Sequence, residues 1–217
     1  MAKPIPKNYN SIKVMAQTID LKYYWEQAVS YDSYKEIIEK QAQEGINNEE
    51  DKNIQKLAEY TRLNLSRIHR NDKTLVLEES VLTILNKLNK KVNILAISEG
   101  WCGDASQIVP VVQKLAESSP NIDFKLFFRD ADEKLIQQYL TNGGKAIPII
   151  LFIDAETFEE MAHWGPRPQS CAPFLKKYKE NPETYTHDDF AKDIQGFYNK
   201  DKGHEIANEL TQIISKI

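Results

Sequence analysis

The chain has few of the residues that cross-link a protein or anchor it in a membrane. It contains two cysteines in 217 residues, which is too few for a disulfide framework. The longest apolar runs, such as residues 146–153, are far shorter than the roughly 20 residues that a membrane helix needs. The first residues, MAKPIPKNYN, contain two prolines and no apolar signal-peptide core. We therefore expect a cytoplasmic protein with no membrane partner.

Sequence patterns for several common ligands are also missing. The net charge is −4 and no block of five or more Lys or Arg occurs, so we expect no nucleic-acid partner. There is no GxGxxG or GxxxxGK[ST] loop for a nucleotide. The histidines show neither HExxH nor Cys-pair spacing, so we expect no metal site; they are His69, His163, His187 and His204. With 41% hydrophobic and 28% charged residues, the chain can build a core and stay soluble.

The first third of the chain has a helical pattern. Apolar and aromatic residues at helical spacing predict one helix over residues 19–43, and the polar stretch 44–51 is expected to end it. A second helix is predicted to run from there to about residue 69. We interpret residues 1–72 as an N-terminal helical extension that packs on the rest of the protein.

The rest of the chain alternates between strand and helix patterns. Strands are predicted at 93–98, 122–128, 147–154 and 158–164, and helices at 77–88, 102–117, from Asp130 to about 140, 169–178, 187–198 and 204–217. Strands separated by helices are expected to pair in parallel, and the short turn before residue 158 predicts an antiparallel hairpin. We predict an α/β fold over residues 73–217: a mixed four-stranded sheet flanked by helices, with extra C-terminal helices.

One motif stands out, ISEGWCGDASQIVP at residues 97–110. Trp101-Cys102-Gly103 follows a buried strand and opens a helix, and Pro110 lies eight residues after the cysteine. Ala146-Ile147-Pro148 precedes the third strand, and Gly165 ends the fourth. These features, in this order, resemble the thioredoxin superfamily. EGWCGDASQ with LTNGGKAIP and WGPRP is similar to a bacterial branch of single-cysteine (WCGDA) thioredoxin-like proteins.

This resemblance implies roles for specific residues. Cys102 would be the catalytic thiol, and Ile147 with a cis Pro148 would position an extended substrate. Trp101, Gly103 and Gly165 would line the groove. Arg167 is considered on its position alone: it stands between Pro166 and Pro168 near the same rim, where it would bind a carboxylate or help Cys102 to ionise, and a plain surface arginine is an equal alternative.

Departures from the family pattern leave the reactivity of the thiol open. Ala105 stands where a resolving cysteine is expected, and Ala96 where thioredoxins often keep a buried proton-shuttling Asp. The N-terminus of a helix lowers the pKa of a cysteine, whereas the negative charge of Asp104 raises it. Asp104 also suits the first turn of the helix, so it has a purely structural alternative role.

With one thiol in the motif, Cys102 needs a second thiol from elsewhere to complete an exchange reaction, and three functions remain open. A mixed disulfide on Cys102 must be resolved by another thiol: a low-molecular-weight thiol, a cysteine of a partner protein, or Cys171. The alternative for Cys171 is a purely structural role as a residue packed against the core. The leading prediction is a thiol–disulfide oxidoreductase acting on a disulfide-containing protein or a small thiol, with no resident cofactor. The alternatives are a redox-inactive peptide- or protein-binding module and a glutaredoxin-like thiol or iron–sulfur carrier. A raised thiol pKa favours the binding module, and a brown protein favours the carrier.

Overall fold

The predicted α/β sheet is present in the computed structural model, which describes residues 19–217. Its strands are β1 (Val92–Ser98), β2 (Ile122–Phe128), β3 (Ile149–Asp154) and β4 (Glu160–Trp164), in the spatial order β2-β1-β3-β4. β1 pairs in parallel with β2, and the β3–β4 hairpin is antiparallel as predicted. Every residue of β1 is buried, as expected for a central strand covered on both faces.

The expectation that helix-separated strands pair in parallel is wrong for β3. β3 runs antiparallel to β1, with Ile149 opposite Ile97. β2 ends at Phe128, level with Ser98 at the same edge of the sheet. The helix between β2 and β3 spans only Glu133–Ile136, so the connection stays at that edge and does not return across the sheet.

Helices cover both faces of the sheet and extend beyond it. They are α1 (Leu21–Gln27), α2 (Tyr31–Ile46), α3 (Lys52–Thr74), α4 (Glu79–Lys87), α5 (Ala105–Glu117), α6 (Glu133–Ile136), α7 (Ala172–Glu180), α8 (His187–Asp201) and α9 (His204–Ile214). A single 3-10 turn, Gln169–Cys171, precedes α7. Within residues 19–217, no helix is both long enough and apolar enough to cross a bilayer. The expectation based on residues 1–10 lies outside the described residues.

The single helix predicted over residues 19–43 is two helices. Val29 leaves the helical path and exchanges two 2.9 Å backbone hydrogen bonds with Leu126 of β2. Ser30 then caps α2 by accepting a hydrogen bond from the backbone N–H of Ser33. Pairing with the sheet outweighs the helical periodicity at this point, because local pattern is a weaker determinant than tertiary contact.

Other predicted boundaries shift by a few residues. α3 continues to Thr74, so the predicted domain boundary at 72/73 falls within its last turn. Asp132, not Asp130, caps α6. β4 begins at Glu160 and not at 158, because Phe158 has a positive φ of 59° that does not fit a strand.

The N-terminal helices pack directly on the loop that carries the cysteine. α2 and α3 form a pair, and this pair covers Gly100. A Cβ at Gly100 would lie 2.8 Å from Ile38 Cγ2 of α2, so only glycine allows this approach. The helical extension is therefore part of the structure that positions the WCGD motif.

Candidate functional site

Cys102 lies in a turn between β1 and α5, which begins at Ala105 and not at Cys102 as predicted. Its side chain is only 7% exposed, and its Sγ donates a hydrogen bond to the carbonyl oxygen of Ile147 at 3.3 Å. The Ile147–Pro148 peptide bond is cis, as predicted. The sulfur and the loop before β3 are thus in direct contact.

Gly165 at the end of β4 packs against the loop that carries Pro148. Its φ is +129°, and a Cβ there would lie 2.4 Å from the carbonyl oxygen of Pro148. No other residue fits this position, since both the backbone angle and the space require glycine. Pro148 itself is buried.

Asp104 is a buried carboxylate with two partners. Its Oδ2 pairs with Arg167 Nη2 at 2.6 Å, and its Oδ1 accepts the hydroxyl of Tyr198 at 2.9 Å. The side chain makes no cap hydrogen bond, so its role in the first turn of α5 is not that of a helix cap. Arg167 is correspondingly tied to Asp104, which leaves its Nε buried without a hydrogen-bond partner among the described residues.

Burial and the charge of Asp104 outweigh the helix N-terminus in setting the pKa of Cys102. Burial raises the pKa of Cys102 to about 12, and the negative charge of Asp104 adds to the rise. The backbone N–H groups of Ala105 and Asp104 and the charge of Arg167 act in the opposite direction but are weaker. Cys102 is therefore a neutral thiol at physiological pH.

Cys171 is buried near the same ion pair as Cys102, since the charges of Asp104 and Arg167 act on the pKa of both thiols. It is 1% exposed, and burial raises its pKa to about 12. It lines a separate cavity of about 380 Å³, which has Ala146 and Arg167 in common with the space above Cys102. Both cysteines are free thiols.

α3 contributes site residues that the sequence did not reveal. Asn64 Nδ2 donates to the carbonyl of Gly100 at 3.0 Å, and Asn71 Nδ2 donates to the carbonyl of Ser106 at 3.0 Å. Arg67 Nη1 reaches Gly103, where an added Cβ would be 3.7 Å away. The available signal was helical spacing: polar residues 64, 67 and 71 lie within the otherwise apolar face that carries Leu65 and Ile68.

α8 holds the same loop from the other side. Gln195 Nε2 donates to the carbonyl of Gly103 at 3.2 Å, and its Oε1 accepts from Gln107 Nε2 at 2.9 Å. With Tyr198 on Asp104, this helix makes three side-chain hydrogen bonds to the motif and α5. The motif is thus held between a helix from the N-terminal third and one from the C-terminal third.

The same two helices form the walls of an open cleft of about 1570 Å³ above the motif. Several predicted site residues line it, namely Trp101, Cys102, Gly103, Asp104, Ile147 and Arg167. Pro148 and Gly165 are not among the lining residues, so the expectation that Gly165 lines the groove is not met, and Cys171 lies in the other cavity. Arg129 stacks over the Trp101 ring at 4.7 Å from its centroid.

The α3 wall of the cleft includes three solvent-exposed apolar or aromatic side chains. Leu57, Tyr60 and Leu63 line it with 41%, 45% and 48% of their surfaces exposed. On the α8 wall, a Cβ at Gly196 would have no heavy atom within 4 Å. Within residues 19–217, no group of three or more His, Cys, Asp or Glu side chains is placed to hold a metal ion.

Comparisons with known proteins support the fold. A family model described as thioredoxin matches residues 51–179. The crystal structure of an HIV epitope scaffold is similar, with a TM-score of 0.63, 15% identity, and coverage of 92% of this chain and 99% of that one. A protein of unknown function from Pseudomonas aeruginosa has a TM-score of 0.57 at 15% identity, covering 91% and 98%. A comparison with curated proteins found no match.

Proposed function

The chain belongs to the thioredoxin family, and from that premise we propose that it is a binding member of the family. In this proposal the cleft between α3 and α8 holds an extended peptide segment of a partner protein. Cys102 lies at the floor of the cleft as a neutral thiol and does not act as a fast nucleophile.

The observation that carries the proposal is the cleft itself. Its volume of about 1570 Å³ exceeds the range of roughly 300–1,000 Å³ typical of small-molecule pockets. One wall exposes Leu57, Tyr60 and Leu63 in a row, and exposed apolar rows of this kind mark surfaces that bind other proteins. An elongated partner segment with apolar side chains fits this space.

The state of the thiol supports binding over exchange. Thiol–disulfide exchange requires the thiolate. With its pKa raised to about 12 by burial, Cys102 carries very little thiolate at pH 7. The neutral thiol also donates its proton in a hydrogen bond to the Ile147 carbonyl, an interaction that the thiolate cannot make.

Single-cysteine exchange is the second candidate, and the contact between Cys102 and the Ile147–Pro148 loop favours it. In that reaction the Cys102 thiolate attacks one sulfur of a disulfide R–S–S–R′, the S–S bond breaks, and R′–S⁻ leaves with the electron pair. An external thiol then attacks the mixed disulfide and returns Cys102 to its reduced form. The iron–sulfur carrier remains a prediction from the sequence.

The test is selection of an unbiased phage-displayed peptide library on the full chain, followed by affinity measurements on the selected peptides. Cys102→Ser should bind them as well as the unmodified chain, because binding does not need the sulfur. Gly196→Phe should abolish binding, since its ring has room to enter the cleft, while Gly196→Ala should preserve it.

Thiol–disulfide exchange at Cys102 would give a different result with the same peptides. Disulfide-containing peptides would then add covalently to the unmodified chain at neutral pH, which intact mass spectrometry detects, and would not add to Cys102→Ser. Rapid formation of that adduct, or a library that yields no binder, would contradict the proposed binding function.

A further inference from the structure

We infer that the peptide taken by the cleft is acidic, and that Arg67 of α3 binds one of its carboxylates. This inference rests on the proposed function and specifies the chemical class of the ligand. It is carried by the position of Arg67 and by the distribution of charge along the cleft.

Arg67 is a half-buried cation without an anionic partner. Its Nη1 donates a hydrogen bond of 2.8 Å to the amide oxygen of Asn64, a neutral group. Among the described residues, no carboxylate lies within 4 Å of its guanidinium. Burial lowers the pKa of Arg67 and the neighbouring charge of Arg70 adds to the fall, while the charge of Asp104, which lies beyond 4 Å and is paired with Arg167, acts weakly in the opposite direction. A partly desolvated charge of this kind gains from an incoming ion of opposite sign.

The other two arginines of the cleft differ from Arg67 in this respect. Arg167 pairs with Asp104 at 2.6 Å, and Arg129 pairs with Asp130 at 2.7 Å. Their charges are already matched within the protein. Arg67 is the arginine of the cleft lining whose N–H groups remain available to a ligand carboxylate.

The cleft as a whole is positively charged. Seven basic side chains and three acidic ones line it. Of the acidic ones, Asp104 and Asp193 each lie within 4 Å of a basic side chain. Lys56, Lys192 and Lys200 at the cleft have no carboxylate within that distance among the described residues. The resulting field attracts an anionic segment and favours its approach at low salt.

The geometry also indicates what kind of carboxylate carrier fits. A guanidinium binds a carboxylate through two parallel N–H donors, which fixes both position and orientation. Beside Arg67, the exposed row Leu57, Tyr60 and Leu63 offers apolar contacts. A peptide that combines Asp or Glu with apolar side chains satisfies both surfaces, whereas a small dicarboxylate leaves the apolar row uncovered.

The experiment uses two fluorescent peptide pools of matched length and apolar content, one with Asp and Glu and the other with Asn and Gln at the same positions. Binding of each pool is measured by anisotropy for the full chain, Arg67→Gln, Arg67→Lys and Arg62→Gln. Arg62 is an exposed arginine of α3 outside the cleft lining, so Arg62→Gln makes the same change of charge on the same helix.

We expect the unmodified chain to prefer the acidic pool, and Arg67→Gln to lose about tenfold or more of its affinity for that pool alone. Arg67→Lys should recover part of the loss, and Arg62→Gln should leave the affinity unchanged within about twofold. If both pools bind the unmodified chain equally, the inference is wrong while the proposed function stands. If neither pool nor the unbiased library binds, the proposed function itself fails.

Discussion

The hydroxyl of Tyr198 donates a 2.9 Å hydrogen bond to Asp104, and the two residues lie 94 positions apart in the sequence. This bond joins α8 to the WCGD motif and helps to hold a negative charge beside Cys102. Arg167 completes the arrangement from the rim after β4. Three distant segments thereby fix the electrostatic environment of one thiol.

Replacing Asp104 should make Cys102 more acidic. In Asp104→Asn the negative charge beside the sulfur is lost and Arg167 is released from its ion pair, so the Cys102 pKa should fall. Because burial is the largest cause of the raised pKa, the value should stay above that of a free cysteine, about 8.5. The measurement is the rate of Cys102 alkylation against pH, with the exposed Asp188→Asn as control. An unchanged or higher Cys102 pKa would show that Asp104 does not act on the thiol.

Stability should depend on pH through Glu99, which lies just before the motif. Burial raises the pKa of Glu99 from 4.5 to about 7, and its carboxylate oxygen accepts the backbone N–H of Asp130. The pKa of Glu99 is higher in the folded chain than in the unfolded chain. The stability that protonated Glu99 contributes is therefore fully present below about pH 4.5 and is lost as the pH rises through about 7.

Glu99→Gln should therefore match the unmodified chain near pH 4 and exceed it by about 3 kcal/mol in free energy of unfolding at pH 8. The glutamine keeps an oxygen for the Asp130 N–H. Urea unfolding at both pH values measures the difference, and Glu59→Gln on an exposed part of α3 is the control. Equal gains at both pH values would rule out titration of Glu99 as the cause.

Gly165→Ala should destabilise the fold by about 2 kcal/mol or more. The added Cβ would lie 2.4 Å from the carbonyl oxygen of Pro148, at a φ of +129° that side chains rarely adopt. Gly196→Ala is the matched control, since its Cβ meets no atom within 4 Å and alanine favours a helix interior by up to about 1 kcal/mol. In thermal unfolding, the melting temperature should fall for Gly165→Ala and should not fall for Gly196→Ala. A neutral Gly165→Ala would mean that the β4–Pro148 approach is not as close as described.

Much of the α/β framework was predictable from the sequence. Buried strands leave apolar runs, and residues 93–98 and 147–154 correspond closely to β1 and β3. The motif order also predicted the cis Pro148 and a glycine at the end of the fourth strand. Each of these features depends on a short stretch of sequence, so it can be recognised without knowledge of the fold.

What the sequence did not predict depends on contacts between distant segments. The pairing of Val29 with Leu126 splits the first helix, and nothing near residue 29 signals it. The hydrogen bonds from Asn64 to the motif loop and from Asn71 to the first turn of α5 depend on where α3 packs in the folded chain. The balance of charges on Cys102 likewise depends on Tyr198 and Arg167, which become neighbours of Asp104 only in the folded chain.

The most direct test of the central claim is the pH dependence of Cys102 alkylation in the full chain. Iodoacetamide labelling of Cys102 and Cys171 is followed separately by peptide mass spectrometry, with tryptophan fluorescence confirming that the chain stays folded. We predict slow labelling of Cys102 at neutral pH and a rate that still rises above pH 9, as a pKa of about 12 requires. A plateau reached below about pH 8.5 would show an activated thiolate and would contradict the binding function in favour of thiol–disulfide exchange.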